Sequence, residues 1–409
     1  MAVLVRQTGV VLASLLAAAL VLVFSPAARA EPAEDAVDQG PTGAPYVAGE
    51  LIVTYEERAP GDAVEALDDE VGAEVEEKLP EIDARLLEFP EVQGEPSQEA
   101  RERDLEQLKE DLEADPAVES AGYNYLVRLA HTPDDPRFSN QWGLRKTGFE
   151  NAWDSTRGSG SKIAIVDTGM AVGHEDLGGQ MALGWDFVND DRTVRDLSGH
   201  GTHVAGTAAA HTDNARGVAG GCPSCDLLVA KIFDGKGTGT VARLAEAIVW
   251  SADHGADVIN LSLTHPKSSA IEEEAVAYAE REGAVVVAAA GNGDTSSRTY
   301  PAAYPGVIAV AATNSEDRRA SFSNYGAWVD VAAPGVSVLS TVPDGGYASW
   351  KGTSMAAPHV SALAGLLAAQ GHGRNAIKSR ILDTAVDLGR AGRDPYYGEG
   401  RMSAGRAVQ

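Results

Sequence analysis

Lys162-Ile-Ala-Ile-Val-Asp-Thr-Gly169 is a short apolar run that ends on a carboxylate and a glycine. Its first five residues offer no alternating polar face, so the strand they predict is covered on both sides, as in a parallel sheet. Four runs of similar texture follow, at Leu227–Phe233, Asp257–Leu263, Ala284–Ala290 and Val307–Ala312. Between them, Val241–His254 and Ile271–Glu282 are amphipathic at helical spacing. This alternation predicts an α/β unit: a mostly parallel sheet between two helical layers. In such sheets the site lies beyond the carboxyl ends of the strands, where Asp167 stands.

Working outward, the chain before His131 has another texture. Glu50-Leu-Ile-Val-Thr-Tyr55 predicts a strand, and Asp62–Val71 a helix with Val64, Leu67 and Val71 on one face. Ala73–Leu79 and Ile82–Phe89 predict two strands around Pro80-Glu81. Ser97–Ala114 predicts a helix with Ser97 as its N-cap, and Val118–Leu129 a last strand. The order βαββαβ is the split ferredoxin-like, α+β pattern. Glu31–Pro45, rich in Pro, Gly, Ala and acid, predicts a flexible leader. Val10–Phe24 is apolar, follows Arg6, and is succeeded by the small-x-small triplet Ala28-Arg29-Ala30. That predicts a secretory signal over residues 1–30 and a secreted product.

The formal net charge of -27 is unevenly spread. Residues 31–130 hold seven basic against 29 acidic residues, a net of -22, and residues 131–409 hold 24 against 31, a net of -7. Nucleic acid is not an expected partner, because phosphate binding needs a basic surface. The two cysteines, Cys222 and Cys225, lie in Cys-Pro-Ser-Cys. No redox-type βαβ unit surrounds them and no further zinc ligands lie nearby, so a local disulfide pinning a surface loop is expected.

Three residues suggest chemistry together that none would carry alone. Asp167 ends a strand and would otherwise be a turn cap. His200 sits in Gly199-His-Gly-Thr-His-Val-Ala-Gly206, where His203 is a built-in comparison, since at most one of the two need be catalytic. Ser354 sits in Gly352-Thr-Ser-Met-Ala-Ala-Pro-His359, at the start of a run predicted helical through Ala369, and would otherwise be an N-cap. A nucleophile, a base and an orienting carboxylate are the parts of acyl transfer. Asn292, after Ala288-Ala-Ala-Gly291, could supply an oxyanion donor beside the Ser354 N–H. The order Asp, His, Ser excludes an α/β-hydrolase, which runs Ser, Asp, His from a Gly-x-Ser-x-Gly elbow. No His-Glu-x-x-His zinc motif is present.

At these motifs the chain resembles the subtilisin-like serine proteases, from Pro133 almost to its end. Pro133-Asp-Asp-Pro136 is similar to the start of thermitase-like members. The resemblance implies a subtilisin-like catalytic domain over residues 131–409 and an inhibitory, chaperoning propeptide over 31–130, folded over about 46–129. The product would be a broadly specific, autoprocessed secreted endopeptidase, expected to be a monomer. Its partners would be protein and peptide substrates and its own propeptide, cut off within about residues 129–132. Peptide would add as a strand between Gly237-Thr238-Gly239 and Ser262-Leu263-Thr264. The family usually has glycine at the positions of Thr264 and His265. Structural Ca²⁺ is implied, held by the side chains of Asp135, Asp176 and Asn214 and the carbonyls of His211, Arg216 and Val218. A second site would use Asp186, Asn189, Asp191, Thr193 and Arg195, where Asn189 and Arg195 depart from the pattern.

Overall fold

The computed structural model describes residues 37–39, 45–127 and 132–409. The expected signal over 1–30, most of the leader and most of the processing junction at 129–132 lie outside them. The described residues divide into two compact units between Leu126 and Val127.

The N-terminal unit runs β1 (Val37–Gln39), β2 (Pro45–Tyr55), α1 (Gly61–Glu70), β3 (Glu74–Leu79), β4 (Ala84–Glu88), α2 (Pro90–Gln93), α3 (Gln98–Glu113) and β5 (Val118–Tyr125). β2 is the central strand, flanked by β4 and β5, with β3 beyond β4, and every pairing is antiparallel. Ser97 caps α3, its hydroxyl accepting from Ala100 N at 3.2 Å. Side chains alternate along β2: Leu51, Val53 and Tyr55 are buried, whereas Ile52 is 36% exposed. Three residues of the expected leader, 37–39, depart from expectation. β1 pairs with the first residues of β2, and its buried Asp38 accepts from Arg101 of α3 at 2.5 and 2.7 Å. A backbone ladder and a buried ion pair order a segment whose composition reads as loop.

The C-terminal unit begins with α4 (Trp142–Lys146) and α5 (Phe149–Trp153), followed by β6 (Lys162–Asp167), β7 (Met181–Asp186), α6 (His200–Ala209), β8 (Asp226–Lys231), α7 (Val241–Asp253), β9 (Val258–Leu261), α8 (Ala270–Arg281), β10 (Val285–Ala289), β11 (Ile308–Thr313) and β12 (Val331–Pro334). The hairpin β13 (Val338–Val342) and β14 (Gly346–Trp350) precedes α9 (Thr353–Ala369), α10 (Arg374–Asp383) and α11 (Ala404–Ala407). The sheet order is β12-β11-β10-β9-β6-β8-β7, all pairs parallel. Strand parity sends side chains to two cores. Ile163, Ile165, Val285 and Val287 pack with α9 and α6, and Ala164, Val166, Val286 and Ala288 with α7 and α8. β7 and β12 were not anticipated: β7 is a half-exposed edge and β12 has four residues ending on proline.

α9 runs through the first core, with 14 of its 17 residues buried. Such a helix is apolar all round because neighbours cover every face. That placement fixes Ser354 beyond the carboxyl ends of β9 and β10.

Candidate active site

Asp167 is fully buried at the end of β6. Its carboxylate accepts from Thr168 N at 2.7 Å and from His200 Nδ1 at 2.7 and 2.9 Å. A carboxylate only accepts, so Nδ1 carries the proton and Nε2 is left as the acceptor. Gly199, at φ 88°, turns the chain into α6 so that His200 opens the helix. A Cβ on Gly201 would fall 2.2 Å from the Gly169 carbonyl oxygen, so only glycine allows α6 this close to the Asp167 loop. Burial opposes the imidazolium of His200, but the charge and hydrogen bond of Asp167, helped by Asp196, outweigh it and raise the His200 pKa.

Asp196 is a positioning residue that sequence reading missed. Nearly buried, it accepts from Thr168 Oγ1, Ser198 N and Gly199 N through Oδ1, and from Thr202 N and Oγ1 through Oδ2. Thr168 Oγ1 in turn accepts from Gly201 N. The Asp167 and His200 loops are thereby locked together. Its only signal was an aspartate four residues before His200, indistinguishable from a turn cap. His203 has the other fate. It is fully buried, its Nε2 lies 3.1 Å from the carbonyls of Val338 and Ala348, and its ring stacks on Trp350 at 4.7 Å. Burial pushes its pKa down to about 4, so it is a neutral structural histidine.

Ser354 is the second residue of α9, where backbone N–H groups lack helical partners. Its hydroxyl donates to the Ser262 carbonyl at 3.0 Å, and the Ser262 hydroxyl donates to the Ser354 carbonyl at 2.9 Å. Among the described residues no hydrogen bond joins Ser354 Oγ to His200. The two nonetheless line one cleft of about 550 Å³, together with Asn292 and Gly352. Asn292 Oδ1 accepts from Thr353 N at 2.9 Å and Thr353 Oγ1 at 3.1 Å. With the oxygen so pinned, the amide cannot flip, and its Nδ2 donors remain for the cleft. Buried Thr353, whose Oγ1 also accepts from Gly291 N, thus orients Asn292. Asn324, nearly buried, holds the same loop through the Ala290 carbonyl and Gly293 N.

Of the expected substrate edges, Gly237–Gly239 lies in a turn built on Asp234. Asp234 O accepts from Gly237 N, its carboxylate accepts from Thr238 N, and its N donates to Thr238 O. Leu263 and Thr264 lie between the Ser262–Ser354 bonds and the paired backbones of His265 and Tyr300, with no backbone hydrogen bond of their own among the described residues. His265 Nε2 sits 2.8 Å from the buried carboxylate of Glu272.

The expected calcium ligands converge on the loop 211–218. Asp135 Oδ2 accepts from Asp213 N, and Asp176 accepts from Asn214 Nδ2 and Val218 N. Arg216 N donates to Asn214 Oδ1, and His211 N to the Asp176 carbonyl. Asp135 Oδ1 is buried without a partner, and Asp134 and Asp213 place carboxylates within 4.8 Å of that of Asp135. Asp213 is also ion-paired with Arg157, but a buried orphan oxygen beside carboxylates fits a hard cation. The second set does not fit. Buried Asp186 accepts from the Lys231 ammonium at 2.7 Å and from Val188 N, Asn189 N and Asn189 Nδ2. A lysine already supplies the positive charge there.

Cys222 and Cys225 form a disulfide. Both cysteines are fully buried in the α9 core, while Ser224 between them is exposed. A Cβ on Gly365 would lie 2.8 Å from Cys225 Sγ, so the sulfurs fill a groove in α9.

A parallel sheet of this order, with His200 and Ser354 in one cleft and Asp167 bonded behind His200, is the architecture of a subtilase. The chain belongs to that family: residues 158–400 match the subtilase family, peptidase S8, and residues 32–124 match the fervidolysin N-terminal prodomain. It is a subtilisin-like serine protease with a propeptide-type N-terminal region. The thermophilic serine proteinase of Bacillus sp. (strain AK1) is 43% identical over 365 residues, 89% of this chain and 88% of that protein. Thermitase of Thermoactinomyces vulgaris is 48% identical over 280 residues, 68% of this chain and all of that protein. A solved protease from Pseudoalteromonas arctica PAMC 21717 superposes with a TM-score of 0.64 at 32% identity, covering 68% of this chain and 99% of that one.

Proposed function

We propose that the chain is a zymogen of a secreted endopeptidase that cleaves peptide bonds through Asp167, His200 and Ser354. The observation that carries this reading is the Asp167–His200 hydrogen bond in a cleft shared with Ser354 and Asn292. The reaction requires the Ser354 hydroxyl to turn from the Ser262 carbonyl to His200 Nε2. His200 accepts its proton as Ser354 attacks the substrate carbonyl, and Asp167 stabilises the imidazolium. Asn292 Nδ2 and Ser354 N–H donate to the developing oxyanion. His200 then protonates the departing amine, and water releases the acyl group by the same steps in reverse.

Residues 1–30 act as the signal, 31–130 as the propeptide and 131–409 as the mature enzyme. After one cut near 129–132 the propeptide inhibits until it is digested. Substrate binds as an added strand along Gly237–Gly239 and Ser262–Thr264, so main-chain recognition gives broad specificity. Calcium supplies structural charge neutralisation beside Asp135, Asp176 and Asn214 and the carbonyls of His211, Arg216 and Val218, and takes no part in chemistry. Support comes from the orphan oxygen of Asp135. Casein digestion by the purified protein, with and without a serine-directed phosphonylating reagent, tests the reading. Cleavage that the reagent leaves untouched would overturn it.

A further inference from the structure

Trp350 stands between two cavities. One is the cleft of His200, Asn292 and Ser354. The other has a volume of about 900 Å³ and is used by no step of the proposed reaction. Its apolar wall includes Met170, Met181, Val342 and Pro343, and Leu197 and Val172 expose 62% and 46% of their surface there. Trp350 is held rigidly by its stack on His203, and a Cβ on Gly199 would meet its ring at 3.3 Å.

The arginines of this cavity are unpaired. Arg192 and Arg195 line it and are exposed, and among the described residues the side chain of neither makes an ion pair or hydrogen bond. Asp196 makes no ion pair with them, because its oxygens are turned to Thr168, Thr202 and loop amides. The remaining acid of the lining is exposed Asp344, on the β13–β14 turn. Two guanidinium groups without an ion pair therefore face the cavity.

The direction of the substrate chain gives this charge a use. The acyl half is assigned to Gly237–Gly239 and Ser262–Thr264, and neither segment lines this cavity. Gly199, next to His200, does line it. His200 is the group that protonates the departing amine, so the chain beyond the scissile bond leaves past it and past Trp350. We propose that the cavity is a subsite for the leaving-group half of the substrate. In it Arg192 and Arg195 select a carboxylate side chain beyond the scissile bond. This rests on the peptidase reading of the neighbouring cleft. Arginine suits the task because its planar fork matches a carboxylate. Solvent screening keeps the preference modest, on the order of three- to thirty-fold in kcat/KM, and high salt should shrink it.

The test uses enzyme produced from the full chain and internally quenched peptides that differ only beyond the scissile bond, with Glu, Gln or Lys at each position. A chromogenic anilide whose leaving group carries no amino acid serves as control. The expected order is Glu above Gln above Lys, flattened in Arg192→Ala/Arg195→Ala and inverted in Arg192→Glu/Arg195→Glu, with anilide turnover unchanged in both variants. No charge preference, or the same preference in the double alanine variant, would overturn the subsite while leaving the peptidase standing. Failure of the wild-type protein to cut either peptide or anilide would overturn both.

Discussion

The two units bury their sheets in opposite ways. In the N-terminal unit one face of β2 is buried and Ile52 on the other is 36% exposed, and among the described residues its apolar core has 13 buried members. In the C-terminal unit both parities of β6 are buried, Ile163 and Ile165 in one core and Ala164 and Val166 in the other. The smaller unit leans on polar ties: Asp38 with Arg101, and Asp68 with Tyr55 and Arg85. Such ties specify geometry but add little net stability, since desolvation offsets their attraction. The lesson is a division of labour. The one-faced acidic unit has the smaller core and is expected to be the less stable, and the doubly covered unit buries its sheet on both sides.

The sharpest way to separate the units is chemical. Ser354→Ala should cut turnover about a million-fold, the loss known for the corresponding serine of a subtilisin, and leave the precursor uncut with both units folded. Normal self-processing would remove Ser354 from its role.

Core truncation probes the stability difference. Leu105→Ala and Leu366→Ala each delete a fully buried side chain, at a cost of about 2–5 kcal/mol. The first is expected to unfold the N-terminal unit alone, and the second only to lower the melting temperature of the C-terminal unit. Limited proteolysis of the Ser354→Ala precursor distinguishes these outcomes, and equal sensitivity would erase the comparison.

Asn292→Ala should cost about a hundred- to a thousand-fold in kcat, with KM little changed, because the amide acts on the transition state. Near-normal turnover would exclude it from the oxyanion site.

Acid should move the two units in opposite directions. Burial holds His203 and His359 down to about 4 in the folded state, against 6.5 for a free imidazole. As pH falls from about 6.5 to 4 the unfolded chain takes up protons that the fold refuses. Stability of the C-terminal unit is therefore lost across that window, by roughly 3 kcal/mol at most for each histidine. Residues 31–130 contain no histidine, and their net charge of -22 is relieved as carboxylates protonate. Melting curves of the Ser354→Ala precursor at pH 7 and pH 5 should bring the two transitions closer together. Parallel shifts would contradict this.

Chelation is expected to have the smallest effect, and only on the C-terminal unit. Removing an ion present at a hundred times its Kd costs about 2.7 kcal/mol, read as a lower melting temperature and faster autolysis. An unchanged melting temperature in excess chelator would argue against the site at Asp135.

The sequence by itself settled what local order can encode. Period-two and continuous apolar runs placed five of the seven strands of the parallel sheet, and helical spacing placed α3, α7 and α8 within a residue or two. Three short motifs marked Asp167, His200 and Ser354, because glycines and small residues at fixed offsets leave a signature. Tertiary structure decided what depends on residues distant in sequence. Asp186 meets Lys231 rather than an ion, Thr353 pins Asn292 across 61 positions, and Asp196 reaches back to Thr168. The disulfide is buried because α9, more than 120 residues on, offers Gly365 as a groove. β1 is ordered by a partner on α3 that its own composition does not announce. Each of these contacts joins residues that carry no periodic relation to one another, so only the folded chain could pair them.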